Sequence, residues 1–178
     1  MFTLFPPFLP SSMSDFQNPI TAQIARFLNA IGIPMQAGAV PAGAFLPGIA
    51  ITRQGLLVDE AALLYPGDLL HEAGHLAVAP PATRFTQGNS VGNDPAEEMM
   101  AIAWSYAALV HLGLDPTIVF HPQGYKGAAA SILENFQAGR YFGVPMLQYH
   151  GMCADAQRAA ASGLPAYPCM QHWLRQSD

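Results

Sequence analysis

The sequence predicts an α+β fold: one mostly helical domain with a small β-sheet or hairpin ahead of its central helix pair. Two patterns carry this prediction. Apolar residues recur at three- and four-residue spacing in several segments, opened by Asn-Pro, Asp-Pro or Pro-Gly-Asp. A single pair of short apolar runs brackets a glycine turn, which leaves little material for sheet. The 178 residues fit one hydrophobic core, and no repeat, low-complexity linker or compositional break divides them. Residues 18–178 are therefore expected to form one domain, with residues 1–17 as a flexible N-terminal arm.

Asn18-Pro19 opens the first helix as an N-cap followed by proline at the first helical position. Ile20, Ile24, Phe27, Leu28 and Ile31 recur along it, and Gly32 ends it. Residues 34–48, rich in Gly, Ala and Pro, read as an irregular connection. Ile49-Ala-Ile-Thr52 and Leu56-Leu-Val-Asp59 flank Gly55 as a hairpin. Pro66-Gly67-Asp68 then turns into a helix with Asp68 as N-cap and Leu69, Leu70, Ala73, Leu76 and Ala77 on its apolar side; Pro80-Pro81 stops it. A polar loop over 83–93 leads to Asp94-Pro95 and a helix running to about His111. Its apolar stretch, Met99 to Val110, is too short to span a membrane and reads as a buried core helix. Short helices are expected after Asp115-Pro116, over 127–137, and near 168–175.

Composition narrows the function. The net charge is −5 with seven Lys plus Arg, and no basic run is present to neutralise phosphates or dock on an anionic membrane, so nucleic acid is excluded as a partner. Charged residues make up 11% of the chain, against about a quarter in ordinary soluble domains. A surface so poor in charge leaves room for an apolar cleft or for association into a homo-oligomer. Cys153 and Cys169 form no C-x-x-C and read as free thiols in a reducing cytoplasm. MFTLFPPFLPSS lacks a basic start and is broken by prolines, a poor match to a signal peptide, so a cytoplasmic location is expected.

The chemistry concentrates in His71-Glu72-Ala73-Gly74-His75. Residues four apart share a helix face, so both imidazoles can reach one metal ion, most simply Zn2+. Glu72 projects beside such an ion, where it can take a proton from an activated water and pass it to a leaving amine. With six His and five Glu in the chain, random placement yields this pattern with a probability of roughly half a percent. A predicted helix, with small residues that allow close packing, supplies context that chance does not.

A catalytic zinc needs a third protein ligand and an open position. Val78 and Pro81 stand where an extended motif would place Gly and a third His. Candidates at the start of the following helix are Asp94, Glu97 and Glu98. Asp94 has a role as N-cap and Glu97 as its capping-box partner; Glu98 has neither and is the chosen ligand, ahead of Glu97. His111 lies roughly 20 Å along the same helix from Glu98 and cannot share its ion. His121, His150 and His172 read as hydrogen-bonded or exposed. Tyr125, Tyr141, Tyr149 and His150 are candidate donors to a tetrahedral oxyanion, and residues 139–143 could border a cleft. Asp68 could hydrogen-bond a ligand imidazole, but its N-cap role already accounts for it.

With these residues in place, the pattern resembles the gluzincin branch of zinc metallopeptidases, in which H-E-x-x-H on one helix is joined by a glutamate from the next. The layout is most similar to the small ImmA/IrrE-type bacterial metallopeptidases. Residues 48–51 and 56–59 would be strands, residues 70–76 the motif helix, and Glu98-Met-Met-Ala101 the E-x-x-A of the ligand helix. The resemblance covers about residues 45–110 and implies a minimal zincin-like fold, bound zinc, and hydrolysis of a peptide bond in a peptide or protein substrate. Residues 115–178 match no part of that layout. Two other readings stand beside it: an inactive zincin-like binding module with a structural or occluded metal, and a metal-free domain whose histidines are paired elsewhere.

Overall fold

The first helix, α1 (Pro19–Ile31), is set by its caps: Asn18 accepts hydrogen bonds from the Ile20 and Thr21 amides, and Gly32 closes the helix at φ 94°. Ile24, Phe27 and Leu28 turn into the core. The computed structural model describes residues 15–44, 46–86 and 94–177. Most of the expected arm lies outside the described residues. Phe16, however, is buried, and the Glu60 carboxylate accepts from the Gln17 and Asn18 amides at 2.8 and 2.9 Å. Residues 16 and 17 therefore pack with the domain.

The expected hairpin is present as β2 (Ile49–Thr52) and β3 (Gly55–Val58), paired antiparallel. A third strand, β1 (Met35–Ala37), lies in the stretch read as irregular and pairs parallel with β3, giving the order β1-β3-β2. Three residues are too few to show an alternation. The strand exists because β3 has a second edge whose amides and carbonyls need partners.

At the centre, α2 (Asp68–Val78) packs on α3 (Pro95–Leu112). Ten consecutive residues of α3, Met100–Leu109, are buried, so it is an interior helix enclosed on every side. Asp94 caps it by accepting from the Ala96 amide at 2.9 Å. Gly74 allows the two helices to approach: a Cβ there would stand 2.8 Å from the Ala101 carbonyl oxygen. Ser105, fully buried, donates to the carbonyls of Ala101 and Leu70 and so bridges the pair.

Two arginines satisfy the carbonyls that α2 leaves open at its C-terminus. The Arg84 guanidinium donates to Leu76 O at 2.9 Å and Ala79 O at 3.3 Å; the Arg175 backbone amide donates to Ala77 O at 2.9 Å and its guanidinium to Val78 O at 3.5 Å. Positive charge at this end also suits the helix dipole. The helix expected near 168–175 does not form, because its backbone is committed to neighbours. Trp173 O accepts from Trp104 Nε1 at 2.8 Å, and the Gln171 amide donates to Met152 O at 2.9 Å.

The remaining described helices are α4 (Pro116–Val119), α5 (Ala129–Gln137), α6 (Val144–Tyr149) and α7 (Ala156–Ser162), with a 3-10 turn at Tyr125–Gly127. The described residues thus form one α+β unit with seven α-helices and a three-stranded sheet. No helix among them is long and apolar enough to cross a membrane.

Candidate metal centre

α2 places His71 and His75 one turn apart on the side facing the start of α3, where Glu98 sits in the first turn. His71 Nε2 lies 3.2 Å from His75 Nε2 and 3.5 Å from Glu98 Oε1, and His75 Nε2 lies 3.2 Å from Glu98 Oε2. A tetrahedral zinc with nitrogen and oxygen ligands at about 2.0–2.1 Å has ligand–ligand edges of roughly 3.3 Å. The imidazole nitrogens and the Glu98 carboxylate thus gather within the dimensions of one such site, with a different Glu98 oxygen facing each histidine. The donor set, two imidazoles and a carboxylate, also suits zinc.

Glu97 has a different task from the capping-box role expected for it. Its Oε1 accepts from His75 Nδ1 at 3.2 Å, which fixes the ring with Nε2 turned toward His71 and Glu98. Consecutive glutamates thus serve the same histidine, one on each nitrogen. Asp68 also departs from expectation: the N-cap of α2 is Gly67, and Asp68 instead accepts from His121 Nε2 at 2.9 Å. The His121 ring stacks on Tyr65 with centroids 3.8 Å apart. His121 is thereby a hydrogen-bonded structural residue.

The charges respond to this crowding. Burial, with the neighbouring His75 charge, pushes His71 down to about 4, against the pull of Glu98. Burial would also depress His75, but its hydrogen bonds to Glu97 and Glu98 and the charge of Glu72 raise it to about 9. Glu72 is pushed up to about 7, chiefly by burial and further by Asp68 and Glu98, with His75 opposing. No hydrogen bond engages its carboxylate among the described residues. Glu98 is held below its ordinary value: burial is outweighed by the His75 hydrogen bond and by the charges of His71, His75 and Lys126.

Of the candidate oxyanion donors, Tyr125 alone comes to the cluster. Its ring meets His71 edge-on at 5.2 Å and stacks on Phe120, and its hydroxyl is buried with no partner among the described residues. Tyr141 packs against Phe136 and Tyr167, and Tyr149 is 85% exposed beside His150. Gly143 abuts α3 just after Glu98; a Cβ there would lie 2.1 Å from Met99 O. His111 packs with Phe27 and Trp173 at the far end of α3. It lines a cavity of about 230 Å³ with Val110, Cys169 and Met170, roughly 20 Å of helix from Glu98.

The contribution of Glu97 was legible only as a capping residue, since nothing in the spacing marks a carboxylate that reaches back to α2. Arg84 and Arg175 carried no signal at all. Compared with models of known families, with curated proteins and with solved structures, the chain gives no match.

Proposed function

We propose that this chain is a zinc-dependent hydrolase of the metallopeptidase type, cleaving a peptide bond, with His71, His75 and Glu98 as ligands and Glu72 as the base. One observation carries the reading. Two imidazole nitrogens and the two oxygens of one carboxylate, from two helices, converge with separations of 3.2–3.5 Å beside the Glu72 carboxylate, which no hydrogen bond engages among the described residues. When bound, zinc supplies Lewis acidity, polarising a carbonyl and bringing the pKa of water near neutrality.

The chain's own residues do the rest. Glu72 takes the proton of the attacking water and delivers it to the departing amine, which its poise near neutrality favours in both directions. Glu97 holds the His75 ring in the tautomer that offers Nε2. The Tyr125 hydroxyl, without another partner among the described residues, donates to the substrate oxygen as it gains charge. Three protein ligands leave one tetrahedral position for substrate.

A second reading, an inactive binding module with an occluded metal, is favoured by the burial of the ligand rings: the side chains of His71 and His75 are 16% and 4% exposed. Metal analysis of purified wild type, Glu72→Gln and His71→Ala, with peptidase assays on each, separates the two. Zinc retained in Glu72→Gln with turnover lost, and both lost in His71→Ala, supports the hydrolase. Retained turnover in Glu72→Gln removes the proposed base, and zinc-bound wild type inert toward peptides and closed to small chelating inhibitors favours the module.

A further inference from the structure

The turn that carries Tyr125 has a conformation that side chains other than glycine rarely adopt. Tyr125 and Lys126 both sit at φ 53°, followed by Gly127 at 85°. Left-handed backbone at two consecutive non-glycine residues persists only where the surroundings over-determine it, and such strain gathers at ligand-binding positions. The surroundings are visible here. The Gly124 amide donates to His121 O at 2.9 Å and the Ala128 amide to Tyr125 O at 3.0 Å. His121 is itself tied to Asp68 at the start of α2, and the Tyr125 ring is wedged between Phe120 and His71. The helix bearing the histidines therefore dictates where residue 126 stands.

Residue 126 is the chain's only lysine. It is exposed, no ion pair engages it among the described residues, and its charge is felt by Glu98. Twelve acidic residues against seven Lys plus Arg make the molecule as a whole repel anions, so an unpaired cation beside the metal ligands is a local exception.

From this juxtaposition we infer that the site takes a substrate with a carboxylate close to the cleaved bond, and that Lys126 binds that carboxylate while the Tyr125 hydroxyl faces the scissile carbonyl. The inference rests on the metallohydrolase reading and adds a substrate class to it. The rival role for Lys126 is to offset the charge of Glu97 and Glu98 without touching substrate.

Calorimetry on the zinc-loaded full chain separates these roles. The probes are acetohydroxamate and the monohydroxamate of succinic acid, which share a chelating group and differ by a carboxylate tail. In wild type the tail tightens binding about tenfold, the effect of one partly exposed charge-assisted hydrogen bond. Lys126→Asn, whose side chain tolerates left-handed backbone, loses that gain, and Lys126→Arg restores it. A tail without effect in wild type, or a gain that survives Lys126→Asn, overturns the assignment. So does a loss that Lys126→Arg does not repair, since the shape of the turn would then be responsible. Neither probe binding a zinc-replete protein sinks the open metal position instead, and a protein that takes up no zinc sinks the metal site. The source of the carboxylate is read by competing trialanine, its C-terminal amide, and an amidated peptide ending in Asp against acetohydroxamate. Competition by the free acid alone marks a chain terminus, competition by the amidated Asp peptide marks an acidic side chain, and competition by neither overturns the inference.

Discussion

Replacing Gly74 with alanine tests how tightly the cluster depends on the α2–α3 approach. Two terms oppose each other. Alanine is favoured over glycine in a helix interior by about 1 kcal/mol. Against this, the new methyl would stand 2.8 Å from Ala101 O and 3.2 Å from Ala101 Cα, where comfortable contact begins at about 3.5 Å. The obstructing atoms are backbone in a helix buried on every side, so they cannot rotate away, and the helices must part by roughly 0.7 Å. Overpacking of this kind costs about 1–3 kcal/mol. The clash outweighs the propensity gain over most of that range, and the metal-free variant is expected to lose up to about 2 kcal/mol in urea unfolding. The same separation opens the His-to-Glu98 distances, now 3.2 and 3.5 Å, to roughly 4 Å, beyond the span of a zinc tetrahedron. Competition with a chromophoric chelator should then show zinc affinity reduced at least about tenfold. A variant as stable as wild type that binds zinc equally well would refute the reasoning, because propensity alone would have prevailed.

Glu97→Gln is expected to keep the fold and weaken zinc binding by roughly 10–100-fold, through the loss of the carboxylate that orients His75, as read by the same competition. Zinc uptake should release about one proton near pH 8: His75, raised to about 9, is still largely protonated in the metal-free protein, while His71, lowered to about 4, and Glu72, raised to about 7, have already lost theirs. Calorimetry in buffers of differing ionisation enthalpy measures this, with affinity rising about tenfold per pH unit and levelling off above pH 9; release of two protons, or none, contradicts the assignment. Arg84→Ala removes donors to Leu76 O, Ala79 O and Arg175 O and should cost about 2–3 kcal/mol in urea unfolding; an unchanged midpoint would show that water replaces the guanidinium.

Local signals were legible where one short stretch of chain decides the outcome. Asn18, Asp94, Gly32 and Gly113 cap helices as their chemistry requires, and the hairpin turns at Gly55. The i, i+4 spacing brought His71 and His75 together, and the search for a third donor led to Glu98 because every other acid nearby had a local role. What escaped depends on distant partners. β1 exists because of β3, the segment near 168–175 serves α2 and α3 instead of itself, and Asp68 turns to His121, fifty-three residues on. In α7 a signal was present and unread: Asp155, an Ala-rich run and Gly163 are ordinary start and stop chemistry. The left-handed pair at Tyr125 and Lys126 had no sequence signature, since neither residue type favours that conformation.

The paired guanidinium groups at the end of α2 also bear on the order of events during synthesis. His75 belongs to the last turn of that helix, yet two of the four carbonyls closing the turn wait for Arg175, about a hundred residues later. On the ribosome, then, His71 and His75 emerge well before the turn that holds one of them can stop fraying, and Glu98 follows ahead of the final clasp. The last turn of α2 is thus completed only by a contact between residues about a hundred positions apart, so its full set of hydrogen bonds belongs to the folded domain and not to the isolated helix pair.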